Sequence, residues 1–168
     1  PLLNRRYDYR ELFQKNLQVL PLNAEQKTCV SKLVDTPQSL LNVYGPPGTG
    51  KTSTICSGIA ALCATFSNVK ILVACPSNAA CDVVVERLAE YPIIKNFGVS
   101  MLRVHALSRS DKEVSPTVST FSKRDGKGGF MFPTVAEIKE QTIIVATLAT
   151  VGKLFGAGVN KNSFTHVV

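Results

Sequence analysis

The chain has 168 residues, 45% of them apolar, which suits about one domain with a real core. No apolar run approaches the roughly twenty residues that span a bilayer, and the opening stretch Pro1–Arg6 does not read as a signal peptide. A net charge of +7 points to a polyanionic partner.

Leu12, Phe13, Leu17 and Leu20 recur every three or four positions after Tyr9, so the chain opens on an amphipathic helix that Pro21 ends. Asn23-Ala24-Glu25-Gln26 reads as a capping box: Asn23 caps a second helix, and Gln26 reaches back to it. Val30, Leu33 and Val34 form the buried face of that helix, and Asp35-Thr36-Pro37 closes it. Leu40–Tyr44 reads as a strand running into Gly45–Thr52, after which Ile55, Ile59, Leu62, Cys63 and Phe66 follow at helical spacing. Lys70–Cys75 is a continuous apolar run, as in a strand buried on both faces. Pro76-Ser77-Asn78 breaks it and caps a helix that presents Ala80, Val84, Leu88 and Tyr91 on one face and Asp82, Glu86 and Glu90 on another. Pro92 is expected to stop this helix.

Val99–Val104 reads as a third strand. Residues 105–132 then lose periodicity and read as a long basic loop or small insertion. Thr134 and Glu137 form a second capping box, Thr142–Thr147 another buried strand, and Val151 and Leu154 the face of a helix reaching Gly156. Phe164–Val168 begins one more strand. This alternation predicts an α/β fold, a parallel sheet with helices on both faces. Ligands gather at the carboxyl ends of such strands, so Gly45, Cys75–Asn78 and Ala146–Thr147 are expected to share one rim.

The pattern G-x-x-x-x-G-K-[ST] is met by Gly45, Gly50, Lys51 and Thr52. Its glycines let backbone N–H groups close on phosphate oxygens at a helix start. The nucleotide-cradling set is Gly45, Pro46, Pro47, Gly48, Thr49, Gly50, Lys51, Thr52 and Ser53. Lys51 is expected to meet the β- and γ-phosphates of a nucleoside triphosphate and the Thr52 hydroxyl to hold Mg²⁺, which makes these two the catalytic candidates. The five cysteines form no C-x-x-C pair and read as reduced and structural, so an intracellular, cytoplasmic protein without zinc is expected.

Hydrolysis also needs a carboxylate at a strand end, yet the strands end in Cys75-Pro76-Ser77-Asn78, His105 and Thr147. A hexameric AAA-type ATPase would show its acidic strand soon after the first helix, and a small-molecule kinase would carry a charged motif where Pro76-Ser77-Asn78 stands. Leu22–Gln26 with Gly45–Thr52 instead resembles the Q motif and motif I of superfamily 1B helicases of the up-frameshift type. Ala74–Asp82 resembles their motif Ia, Leu102-Arg103-Val104 with Ser108-Arg109 the next motif, and Val145–Leu148 the one after. Phe164–Val168 is similar to the strand that runs into their Asp-Glu motif II. The basic insertion followed by Phe130-Met131-Phe132-Pro133 looks most like the Armitage and Moloney leukaemia virus ten branch of RNA-silencing helicases.

The resemblance implies a RecA-like P-loop NTPase fold, incomplete at the C-terminus. Residues 1–20 would be a linker helix and 21–168 the first RecA-like domain, interrupted by the 105–132 insertion. It further implies an ATP-dependent enzyme that moves 5′ to 3′ on single-stranded RNA, with a second RecA-like domain and RNA-silencing or RNA-decay proteins as partners. The opening on Pro1 suggests a piece of a longer chain, and without motif II this piece is expected to bind nucleotide weakly and not turn it over. A nucleotide-switched interaction module, or an AAA-type ATPase, is the competing reading.

Several residues carry two readings. Gln26 either meets the adenine edge or only closes its helix start. Pro76, Ser77 and Asn78 either meet RNA phosphates or cap a helix, and Thr147 has the same choice. Arg103 ends a buried strand, so it either pairs with a carboxylate or reaches a phosphate. Arg109, in a loop, is a freer nucleic-acid candidate. The Lys123–Lys127 loop with Phe130 and Phe132 either combines phosphate contact with base stacking or is plain surface. His105 and His166 read as structural.

Overall fold

The computed structural model describes residues 9–35 and 40–168, which fall into two compact units, one ending at Ser67 and the other spanning Asn68–Val168. The turn residues Thr36 and Pro37 lie outside the described residues.

The first unit packs three helices, α1 (Tyr9–Gln18), α2 (Ala24–Asp35) and α3 (Lys51–Thr65). Phe13 and Leu17 of α1 are fully buried, each contributing roughly 1.5–3 kcal/mol of burial free energy. Asn16 donates to Thr65 Oγ1 at 3.1 Å, and the Tyr9 ring lies 5.4 Å from Phe66, so α1 packs within this unit. Helix α2 approaches α3 at Gly58, where a Cβ would lie 2.8 Å from Leu33 Cδ1.

Leu40–Tyr44, expected as a strand, pairs with no neighbour among the described residues. Its exposure alternates, with Leu41 and Val43 half-buried and Leu40, Asn42 and Tyr44 exposed. Period two makes a segment extended; only a partner's ladder makes it a strand.

The second unit is built on a four-stranded parallel sheet of β1 (Ile71–Cys75), β2 (Met101–Val104), β3 (Ile143–Thr147) and β4 (His166–Val167), in the order β2-β3-β1-β4. Register places Arg103, Val145 and Val73 side by side on one face, and Leu102, Ile144 and Leu72 on the other. The Leu72 face carries a core of Val104, Ile144 and Ala146, covered by Ile138 of α7 (Val135–Glu140) and by Val151 and Leu154 of α8 (Leu148–Gly156). The Val73 face meets α4 (Asn78–Ala89), which buries Cys81, Val84, Val85 and Leu88. Helices therefore do cover both faces, the layout of an incomplete RecA-like fold.

Pro92 ends α4 and also opens a short helix, α5 (Pro92–Lys95), whose first turn has no use for the missing N–H. Residues 105–132 are more ordered than their composition suggests. They hold a 3₁₀ turn at Asp111–Glu113, helix α6 (Pro116–Thr120) and an antiparallel bridge between Arg124 and Phe130. Asp125 Oδ1 closes the tip by accepting from the N–H groups of Lys127 and Gly129 at 2.9 and 2.8 Å.

Candidate nucleotide and nucleic-acid site

The phosphate loop bends at two glycines, Gly48 and Gly50, with φ of 79° and 82°. This left-handed region costs other L-residues about 1–2 kcal/mol. A Cβ on Gly45 would lie 2.9 Å from Thr49 Oγ1, and one on Gly50 2.9 Å from Gln26 Nε2, so the tight curve also needs their small size. Gly50 caps α3 without any side-chain hydrogen bond. The first N–H groups of a helix have no intrahelical partner, so this start suits an anion. The residues thus fit a nucleotide's phosphates. Lys51 Nζ meanwhile donates to the carbonyls of Gly45 and Pro46 at 2.6 and 2.8 Å.

Gln26 does form its capping box. Its N–H donates to Asn23 Oδ1 at 2.8 Å, and its Oε1 accepts from Asn23 N–H at 3.1 Å. The same side chain donates from Nε2 to Thr49 O at 3.2 Å, joining α2 to the loop. Helix closure is therefore one role of this amide, and loop support a second that spacing did not reveal.

In the second unit Cys75 and Thr147 are direct register partners at the carboxyl ends of β1 and β3, so the segments they lead into share one sheet edge. Gly45, expected on the same rim, belongs to the first unit and to no strand. Ser77 Oγ accepts from Ala80 N–H at 3.2 Å, and Thr147 Oγ1 accepts from Thr150 N–H at 3.3 Å. Both hydroxyls cap their helices. Pro76, Ser77 and Asn78 are exposed.

Arg103 and Arg109, both expected as nucleic-acid contacts, are turned inward. The Arg103 side chain is 0% exposed; its Nε donates to Asp82 Oδ1 at 3.3 Å, its Nη2 to Asn78 Oδ1 at 2.8 Å, and its Nη1 to Val104 O. Arg109 grips the same carboxylate through both Nη atoms, at 3.0 Å from Nη1 to Oδ1. A buried guanidinium without a counter-charge is costly, and Asp82 answers both. Burial alone would raise the Asp82 carboxyl, but the Arg109 hydrogen bond and the two cationic charges hold it below its ordinary range. Arg109 is raised by its bond to Asp82.

His105 completes the cluster. Arg109 Nη1, which can only donate, lies 3.1 Å from Nδ1, so Nδ1 is the acceptor and the proton sits on Nε2. Nε2 then donates to Ser122 Oγ at 2.8 Å, and the Ser122 hydroxyl donates in turn to Val118 O at 2.7 Å. Burial first, then the charges of Arg103 and Arg109, push the imidazole down to about 3, so it stays neutral. Its ring stacks on Phe130 at 3.8 Å, and the Arg124 guanidinium lies 5.5 Å from the centroid of the Phe130 ring. Phe130 is 4% exposed and Phe132 packs on the core, so neither offers a ring for base stacking. Lys123 pairs with Glu137 at 2.6 Å and Arg124 with Asp111 at 4.0 Å, which spends much of the insertion's charge internally.

Asp82 is the residue the motif reading passed over. A buried Arg103 at a strand end already demanded a carboxylate, and Asp82 opens the polar face of the next helix, but only folding brings the two together. Cys75 and Cys81 also meet; their hydrogen bond lowers the first thiol and raises the second. Among the described residues no cluster of metal-ligating side chains occurs, and no helix is long and apolar enough to cross a membrane.

A family profile described as an AAA domain matches residues 21–127. The chain belongs to this AAA domain family. It is 34% identical over 155 residues to the putative helicase mov-10-B.1 of Danio rerio, covering 89% of this chain and 15% of that protein. It is 32% identical over 148 residues to RNA helicase Mov10l1 of Homo sapiens, covering 87% of this chain and 12% of that one. The regulator of nonsense transcripts 1 homolog of Neurospora crassa is 42% identical over 94 residues, 56% of this chain and 8% of its own length. The similarity to the helicases named mov-10-B.1 and Mov10l1, and to the regulator of nonsense transcripts 1 homolog, agrees with the resemblance read from the motifs. It spans 15% or less of the length of each of them. No solved structure matches.

Proposed function

We propose that this chain is the ATP-binding part of the first RecA-like domain of an ATP-dependent RNA helicase. The parent protein would move 5′ to 3′ on single-stranded RNA, in the cytoplasm, in RNA silencing or RNA turnover. The observation that carries the reading is the start of α3, where two left-handed glycines and a missing hydroxyl cap leave helix N–H groups beside Lys51. In this reading the N–H groups of residues 48–53 cradle the phosphates, and Lys51 leaves the Gly45 and Pro46 carbonyls to meet the β- and γ-phosphates. The Thr52 hydroxyl belongs to the Mg²⁺ shell, and Mg²⁺ supplies neutralisation of the phosphate charge. Gln26 supports the loop from Thr49 and meets the base edge.

RNA lies along the second unit's sheet edge, met by Pro76, Ser77, Asn78 and Thr147. Capping does not exclude such contact, because a hydroxyl that accepts a helix N–H still has a proton to donate. The +7 charge supports a polyanionic partner. The name AAA domain does not by itself restore the ring-ATPase reading, since the named relatives above are helicases and a regulator of nonsense transcripts.

The test is single-stranded RNA affinity of the full-length protein against ionic strength. A steep fall with salt is expected; binding indifferent to salt favours the nucleotide-switched interaction module. Gln26→Ala in the same protein separates the two roles of that amide. Loss of ATP-over-GTP preference supports base contact, and equal affinities before and after reduce Gln26 to a cap.

A further inference from the structure

We propose that Arg103 is a positioning residue for RNA binding: buried itself, it fixes the Asn78 amide so that the Asn78 Nδ2 group faces outward as a phosphate donor. The inference rests on the nucleic-acid reading of the sheet edge and changes which residues carry it.

Asn78 is an exposed residue in the first turn of α4, where a free side chain would sample several rotamers and both amide orientations. Arg103 Nη2, 2.8 Å away, removes that freedom. A guanidinium has no acceptor, so the atom it meets is Oδ1. A planar amide with Oδ1 held inward presents Nδ2 on the opposite side, and among the described residues Nδ2 has no acceptor. The donor is thus aimed and unspent, beside the exposed Ser77.

Arg103 can serve as an anchor because it is itself held. Its Nε and Nη1 are engaged by Asp82 and by the Val104 carbonyl, and its backbone N–H donates to Phe121 O at 2.7 Å. Asp82 is gripped from the other side by Arg109, which is braced on His105. A residue with these commitments and no exposed surface does not reach a phosphate, yet its loss unlocks one that does.

The experiment is a double-mutant cycle on single-stranded RNA affinity in the full-length protein, using Asn78→Ala and Arg103→Met at several salt concentrations. One hydrogen bond to a charged phosphate predicts about a tenfold loss for Asn78→Ala. Arg103→Met is expected to lose about as much, and the double variant no more than either, because both changes remove the same contact. The slope of log affinity against log salt is expected to stay unchanged in Arg103→Met. A slope smaller by about 0.7 means that Arg103 itself neutralises a phosphate and overturns the proposal. Losses that add in the double variant overturn it as well, since Arg103 then acts independently of Asn78.

Arg103→Met leaves Asp82 with Arg109 as its remaining cationic partner and opens a gap in the core, so Asn78→Asp serves as the variant that keeps the fold. It retains an oxygen for Arg103 and removes the donor, and RNA affinity is expected to fall at least as far as in Asn78→Ala with no loss of thermal stability. Retained affinity in Asn78→Asp overturns the proposal. A wild-type protein that binds no RNA at low salt overturns the nucleic-acid reading and this inference with it; a wild type that binds RNA while Asn78→Ala binds equally well overturns the inference alone.

Discussion

Helix α3 begins at a glycine with no side chain over its first N–H groups, whereas α4 and α8 begin under the hydroxyls of Ser77 and Thr147. All three starts follow segments expected to meet a ligand. The difference separates two kinds of recognition. At α3 the backbone itself is left to bind, so an anion can take the place of a cap. At α4 and α8 backbone donors are already served in part, and a ligand must be met by side-chain groups that point away, such as the Asn78 amide.

The largest expected effect comes from removing what stands behind the second kind. Asp82→Ala leaves Arg103 and Arg109 buried without their counter-charge and is expected to cost about 3–5 kcal/mol, read as a lower urea midpoint for this chain. A change below about 1 kcal/mol would mean that water reaches the guanidinium groups.

Next is the first kind. Lys51→Ala in the full-length protein is expected to lower ATP turnover by at least about a hundredfold while the thermal midpoint stays within a few degrees. The chain 1–168 alone is expected to show no turnover at all, because its described strands end without a carboxylate. ATPase activity in this purified chain that Lys51→Ala abolishes would sink that expectation.

The pH dependence is smaller. His105 titrates near 3 when folded, against an ordinary 6.5. The unfolded chain therefore takes up its proton first as pH falls, and stability present above about 6.5 is lost progressively toward 3, by at most about 1.4 kcal/mol per pH unit for one group. His105→Gln is expected to flatten the part of this decline that lies above the carboxylate range. Asp82, also depressed, adds its loss only lower down.

The caps give the smallest effect and the sharpest contrast. Ser77→Ala and Thr147→Ala are each expected to cost about 1 kcal/mol of stability. RNA affinity that drops while stability does not would show that these hydroxyls serve the ligand and not the helix.

What could be read in the sequence follows the same division. The capping boxes at Asn23 and Thr134 are short-range features, each complete within a few residues, and they stand as expected; the glycine turns of residues 45–52 are equally local. The buried strands were legible because a two-sided sheet leaves continuous apolar runs such as Ile71–Val73. Leu40–Tyr44 misled because pairing is not a property of the segment alone. The insertion misled for the same reason: Phe130 looks available until His105, distant in sequence, is found stacked on it. Arg103 and Arg109 were legible as charges needing an answer, but not the answer, since Asp82 lies 21 and 27 residues away.

The contact of Lys51 with the Gly45 and Pro46 carbonyls has a consequence for reading mutants. If the loop holds a nucleotide as proposed, then between its visits the ammonium acts as a clasp, drawing the two arms of its own loop together. Truncating it removes the ligand's charge partner and springs the clasp in one stroke. The affinity lost in Lys51→Ala therefore overstates the phosphate contact by the work of holding the loop shut. Arginine at this position, which keeps the charge on a broader and more rigid head, would separate the two.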